Sequence, residues 1–167
     1  IRDFDGNEAG FTYNPLGKVE TYTDKEGQTV HFTYDKMWNI SSVTAPDQGR
    51  QEYIYDNNNR LVKQTLPMGG VVTYAYDAAG NRTEMTDPAG NTTRYCYDDV
   101  NRLTEVLEAD GAKTAYEYDR EGNLIKETNA AGQVTSYTYD DLGRRTSVTN
   151  PAGATTSVFY NELGKAE

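Results

Sequence analysis

Aromatic and polar residues alternate along this chain in short runs that return with one fixed step. Tyr53-Ile54-Tyr55, Tyr95-Cys96-Tyr97, Tyr116-Glu117-Tyr118 and Tyr137-Thr138-Tyr139 each place two rings two residues apart, which is strand periodicity with both rings on one face. The second ring recurs as Tyr13, Tyr34, Tyr55, Tyr76, Tyr97, Tyr118, Tyr139 and Tyr160, 21 residues apart without a slip. Phe11, Phe32 and Val158 take the leading place in the outer repeats, and all three suit a strand. A function for such a chain has to be argued from the array rather than from a lone site.

The polar residues between the runs read as turns. Asp35, Asp56, Asp77, Asp98, Asp119 and Asp140 follow their tyrosines directly, with Asn in the two outer repeats. Asp opens a type I turn because its carboxylate can accept from the turn backbone. Three residues further on, Gly80, Gly122 and Gly143 supply the positive φ that a bulged hairpin turn needs, and Asn59 and Asn101 are the next most tolerant choice. Trp38 breaks this rule and predicts a strained turn or a locally different one. A second turn of the same chemistry closes each repeat, with Gly27, Gly69, Gly90, Gly111, Gly132 and Gly153 at the matching place and Pro often at its second position.

With a three-residue loop, each tyrosine faces the residue six positions later: Tyr34 with Ile40, Tyr55 with Leu61, Tyr97 with Leu103, Tyr118 with Leu124. Aromatic–aliphatic cross-strand pairs contribute about 0.2–1 kcal/mol each. Arg82 and Arg145 depart from this ladder and read as solvated charges, with stacking on tyrosine rings as the alternative. Thr23, Thr44, Thr65, Thr86, Thr128 and Thr149 end the second strand of their repeats, and Leu107 is the exception. An odd period carries a further demand, because two identical loops would exchange the sheet faces every repeat. A compensating bulge or a second turn of different length is required, and it is expected beside the Pro/Gly turn.

Two short strands per repeat give about sixteen strands, roughly 75 Å of sheet at ~4.8 Å spacing. Open sheets of that width curl, so the expected fold is all-β: 21-residue β-hairpin repeats forming a long curved antiparallel sheet, a segment of a spiral shell. Such a segment exposes two edges and an aromatic face, both prone to self-association. Residues 1–167 read as a single array of about eight repeats and as part of a longer protein whose targeting signals lie elsewhere.

Composition sharpens this picture. Leu, Ile, Val and Phe are 27 of 167 residues, and the net charge is -10; that combination is found in disordered chains, but 13 of the 14 tyrosines stand at fixed places of the repeat's strands and supply the missing burial. The acidic balance argues against a nucleic-acid partner, and no apolar run has the length of a membrane span. One cysteine, Cys96, excludes an internal disulfide framework.

Candidate chemistry is sparse. The turn aspartates form a row of acids, yet each occupies a position that favours Asp without any ligand, and calcium β-rolls use denser glycine-rich repeats. Stacking of sugar rings on the tyrosine face makes carbohydrate a possible ligand, against the reading of a packed sheet face. His31, the lone histidine, lacks partners for a dyad or a zinc site, and Cys96 occupies an ordinary strand position. Asn39-Ile40-Ser41, Asn81-Arg82-Thr83 and Asn91-Thr92-Thr93 fit the N-glycosylation pattern, which matters only in a eukaryotic secretory pathway. No cofactor, metal or catalytic residue is assigned.

The motif Tyr74-x-Tyr76-Asp77-x-x-Gly80-Asn81-Arg82, followed by Asp87-Pro88-x-Gly90, resembles the YD repeat of the Rhs family, and the resemblance covers essentially the whole chain. It implies a β-sheet strip wound into a hollow cocoon, as in bacterial polymorphic toxins, ABC toxin C components and the extracellular shell of teneurins. In the bacterial members the cocoon encloses a C-terminal toxin domain. It implies as partners the neighbouring YD repeats and an enclosed effector, and a secreted, delivered or cell-surface location. The family's self-cleavage aspartates match no residue here, and the turn aspartates match the repeat itself. The expected function is a non-enzymatic wall segment, with an adhesion or carbohydrate-binding scaffold as the alternative.

Overall fold

A computed structural model describes residues 9–166. In chain order the strands are β1 (Gly10–Tyr13), β2 (Val19–Thr23), β3 (Thr29–Tyr34), β4 (Ile40–Thr44) and β5 (Arg50–Tyr55). There follow β6 (Leu61–Thr65), β7 (Val71–Tyr76), β8 (Arg82–Thr86), β9 (Thr92–Tyr97) and β10 (Leu103–Leu107). The last are β11 (Lys113–Tyr118), β12 (Leu124–Thr128), β13 (Val134–Tyr139), β14 (Arg145–Thr149) and β15 (Thr155–Ser157). No helix occurs among the described residues, and the fifteen strands lie in sequence order in one sheet. The sixteenth strand expected from the repeat count is reduced to a single bridge, Tyr160 to Ala166.

By packing, the chain divides into a first unit that extends to Ala75 and includes Met85–Gly90, and a second that comprises Tyr76–Glu84 and the residues from Asn91 on. Within each unit the register repeats. In the first, Tyr34 pairs with Ile40 and Tyr55 with Leu61. In the second, Tyr97 pairs with Leu103, Tyr118 with Leu124 and Tyr139 with Arg145.

Both turns of a repeat are of one type. At the tyrosine end, the amide of Asp119 donates to Asn123 O at 3.0 Å and that of Gly122 to Asp119 O at 3.3 Å. At the other end, Asn129 N donates to Gln133 O at 3.0 Å and Gly132 N to Asn129 O at 2.8 Å. This is a three-residue loop whose last residue is left-handed. Trp38 keeps the same loop with φ 67°, so of the two expectations for it the strained turn is what forms. The second turn of that repeat, Ala45 to Gly49, places Gln48 at φ 68° although a glycine stands next to it. Gly49 is held out of that place by the register, and a Cβ there would meet Asp47 Oδ1 at 3.0 Å and Pro67 Cβ at 3.4 Å.

With both turns alike, the odd period must be absorbed by a bulge, and its position corrects the expectation. The register shifts between Ile54 and Tyr55, between Glu117 and Tyr118, and between Thr138 and Tyr139, beside the tyrosine turn and not beside the Pro/Gly turn. Two residues of the even strand, such as Val62 and Lys63, there oppose one residue, Ile54. In such a bulge the two side chains share a side of the sheet. Ser41 and Ser42 accordingly both hydrogen-bond Thr33 Oγ1, at 2.8 and 2.7 Å, and Thr146 and Ser147 both reach Thr138 Oγ1, at 2.8 and 2.7 Å. Ser42, 2% exposed, is the one buried side chain among the described residues.

Within each unit the register thus gives the sheet two unlike faces. One carries the paired rings with Val19, Ile40, Val43, Leu61, Leu103, Val106, Leu124 and Val148. The opposite face carries hydroxyls and ion pairs: Thr12 with Thr21 at 2.7 Å, Thr149 with Thr155 at 2.8 Å, Arg94 with Glu84 at 2.9 Å, Lys126 with Glu117 at 2.7 Å, and Lys113 with Glu105. No hydrophobic residue is buried among those described; each unit is a single layer whose rings are covered only by their neighbours.

Candidate functional site

The chemistry of the sheet is concentrated at the edge formed by the tyrosine turns. Each turn aspartate folds back onto its own loop. Asp56 Oδ1 accepts from the amides of Asn58 and Arg60 at 2.8 and 3.0 Å, and its Oδ2 accepts from Arg60 Nε at 2.8 Å. Asp98 and Asp140 repeat this with Arg102 and Arg144, each guanidinium at 2.7 Å. Asp35, Asp77 and Asp119 do the same with Asn39, Asn81 and Asn123, whose carboxamides donate at 3.1, 3.0 and 2.8 Å. Asn14 and Asn161 replace the carboxylate in the outer repeats, each carboxamide oxygen accepting from two turn amides at 3.0 Å.

These donors hold the carboxyls below their ordinary range. The first cause is the backbone N–H of Arg60 for Asp56 and of Arg102 for Asp98. It is the side chain of Asn81 for Asp77, of Asn123 for Asp119 and of Arg144 for Asp140. At Asp35 partial burial opposes the shift and is outweighed by the donors of Asn39 and Met37. A carboxylate saturated by fixed donors is a poor proton acceptor for catalysis. Among the described residues no group of His, Cys, Asp and Glu has the arrangement of a metal site.

The tyrosines link one repeat to the one before. Tyr34 Oη donates to Val19 O at 2.7 Å, Tyr118 to Leu103 O at 2.9 Å, Tyr139 to Leu124 O at 2.9 Å and Tyr97 to Arg82 O at 3.0 Å, each reaching back 15 residues. Tyr160 closes the series on Arg145 O at 3.0 Å. Burial of the ring pushes the phenols of Tyr55, Tyr97 and Tyr118 up. Cations lie over these faces: Arg82 over Tyr95 at 4.7 Å, Arg102 over Tyr118 at 4.9 Å, Arg144 over Tyr160 at 4.5 Å and Arg145 over Tyr137 at 5.9 Å. Arg82 and Arg145 are thus ring partners rather than the solvated charges expected of them.

The glycines stand at the left-handed loop positions, with φ from 74° to 98° for Gly27, Gly69, Gly80, Gly90, Gly111, Gly122, Gly132, Gly143 and Gly153. His31 and Cys96 lie exposed on the polar face. Asn39 and Asn81, two of the three glycosylation-pattern asparagines, have their carboxamides engaged in the turn. What the sequence reading missed is the role of the residue after the left-handed position: Arg102 grips Asp98, donates to Asp119 O of the next repeat at 2.8 Å and covers the next tyrosine. Its signal was the fixed place of Arg or Asn in every inner repeat.

Comparison with known proteins places this geometry. The family described as RHS Repeat matches residues 55–92, 97–133 and 118–155. The Photorhabdus luminescens Tc holotoxin pore carrying a TccC3 substitution shares the fold with a TM-score of 0.79 at 18% identity, over 99% of this chain and 10% of that one. The crystal structure of TcdB2-TccC3 without its hypervariable C-terminal region gives 0.77 at 18% identity, over 95% and 10%. That of TcdB2-TccC3-Cdc42 gives 0.75 at 18% identity, over 93% and 11%. The chain therefore spans about a tenth of the chains it resembles, and at that identity the likeness is one of fold. No curated protein matches the sequence.

Proposed function

The chain belongs to the RHS repeat family, and from that premise we propose that it is a non-enzymatic stretch of shell wall that encloses a C-terminal toxin or effector domain of its parent protein. The observation that carries the reading is the single layer with two unlike faces. A sheet that buries no hydrophobic residue of its own gains stability from neighbours, and here the neighbours are further repeats. Within each unit the tyrosine-turn edge ties repeats together by hydroxyl–carbonyl contacts, joined in the second unit by guanidinium–ring contacts, as a continuous wall needs. The fold shared with TccC3-containing toxin structures supports the same reading. A protein of this role is secreted or delivered to a target cell, and among the described residues no helix is long and apolar enough to cross a membrane.

Adhesion or carbohydrate binding on a cell-surface scaffold is the weaker reading. The hydroxyls of Tyr34, Tyr118 and Tyr139 already donate to the carbonyls of Val19, Leu103 and Leu124, which removes them as donors to a sugar.

Limited proteolysis of the full-length parent tests encapsulation. The downstream domain is expected to survive protease while the wall is intact and to become cleavable when Tyr118→Ser and Tyr139→Ser open it. Equal cleavage of that domain in both proteins would remove the encapsulating role.

A further inference from the structure

The residue after each left-handed loop position alternates along the tyrosine-turn edge. Asn39, Asn81 and Asn123 stand 42 residues apart, and Arg60, Arg102 and Arg144 fall between and after them at the same step. The left-handed residue of the following repeat varies with it. After Asn39 and Asn81 it is Asn59 and Asn101; after Arg60, Arg102 and Arg144 it is Gly80, Gly122 and Gly164.

We propose that these two positions are read as a pair, so that each tyrosine turn accepts a neighbouring repeat of one chemistry: asparagine over asparagine, or arginine over glycine. The partner this surface fits is another repeat of the chain, and the unit of the wall is two repeats.

The geometry gives the reason. The Asn39 carboxamide has two N–H groups; one donates to Asp35 Oδ2 at 3.1 Å and the other crosses to Asn59 Oδ1 at 2.9 Å. Asn81 does the same with Asp77 at 3.0 Å and Asn101 at 2.7 Å. A glycine in the next loop offers no side-chain acceptor, so the second donor loses its bond. Asparagine is also the residue after glycine that best tolerates the left-handed conformation, which lets it serve both needs. Arginine takes its partners elsewhere. Arg102 binds Asp98 through Nε and Asp119 O through Nη1, and its guanidinium covers the Tyr118 ring. A Cβ on Gly122 would lie 4.0 Å from Arg102 Nη1, and one on Gly164 3.5 Å from Arg144 Nη1. The guanidinium fills the space that the asparagine side chain takes in the other class.

Two junctions depart from the rule. Lys18 precedes Trp38, so a ring stands where later cations meet glycine. Asn123 precedes Gly143, where a Cβ would lie 3.6 Å from Asn123 Oδ1, and this junction has an asparagine without its asparagine acceptor. Because the backbone geometry of every repeat is alike, it cannot tell neighbours apart; a side-chain pair at each junction can, and a misordered pairing leaves a donor unmatched.

The mismatched junction supplies the test on the whole 167-residue chain. Gly132→Asn and Gly143→Asn start from the same φ of 74°, but only the second places an acceptor under an asparagine. Gly143→Asn is expected to unfold at a higher urea midpoint than Gly132→Asn. A double-mutant cycle with Asn81→Ala and Asn101→Gly, which removes contacts already present, is expected to show coupling. Equal midpoints for the two glycine variants, or additive effects in the cycle, would overturn the pairing.

Discussion

At the scale of the residue, conformational demand and side-chain reach act separately. Gln48 occupies the left-handed region at φ 68°, a conformation that costs a non-glycine residue about 1 kcal/mol or more. Gln48→Gly is therefore expected to raise stability by about 1 kcal/mol, read as a higher urea midpoint; an unchanged midpoint would show that the loop carries no strain. Gly122, at φ 96°, gives the converse case, with valine expected to cost more than asparagine because a β-branched residue tolerates that region least. Tyr118 separates hydroxyl from ring. Loss of its bond to Leu103 O in Tyr118→Phe is expected to cost about 1 kcal/mol, while Tyr118→Ser also removes the ring under Arg102 and is expected to cost about 2–3 kcal/mol. Denaturant melts of the two variants check the order, and equal losses would assign the whole effect to the hydroxyl.

At the scale of the element, the bulge is the device that makes a 21-residue hairpin repeat workable. Its extra residue restores each tyrosine to the face of the one before, and it was legible in a spacing that strand periodicity passes over. Val19 and Tyr22, Ile40 and Val43, Leu103 and Val106 share a face although they stand three apart; strict alternation puts such pairs on opposite faces. Parity alone required one extra residue per repeat and was silent on its place. Deletion of Ile125, the unpaired residue of the bulge after Tyr118, should exchange the faces of every later strand. Hydrogen exchange is expected to show protection lost from β13 to β15 and kept from β9 to β11. Retained protection in β13 would mean that the sheet slips its register instead.

At the scale of the molecule, stability comes from many like contacts between adjacent repeats rather than from a buried core. The titrating groups of those contacts define a pH window. Asp56, Asp77, Asp98, Asp119 and Asp140 have folded values below their unfolded ones, so the unfolded chain binds more protons in acid. Their contribution is complete above about pH 4 and is lost as the pH falls through the folded values. Tyr55, Tyr97 and Tyr118 are raised, so theirs is complete below about pH 10 and is lost as the pH rises further. Urea midpoints measured across pH should form a plateau with a fall at each end. A midpoint that keeps rising into acid would contradict the donor network around the aspartates.

The strands, both turns, the tyrosine register and the family resemblance were legible in the residues alone, because each follows from contacts within one hairpin and the array repeats them eightfold. Asp56 with its loop and Tyr55 with Leu61 are decided within a few residues of chain. The tertiary structure decided what depends on strands that face each other. It set the bulge beside the tyrosine turn, where Ser41 and Ser42 meet Thr33, and the reach of Tyr118 to Leu103. It also decided that Arg82 and Arg145 lie on rings. A charged side chain in a strand has the same local pattern in water as over an aromatic face, and only the neighbouring strand distinguishes the two.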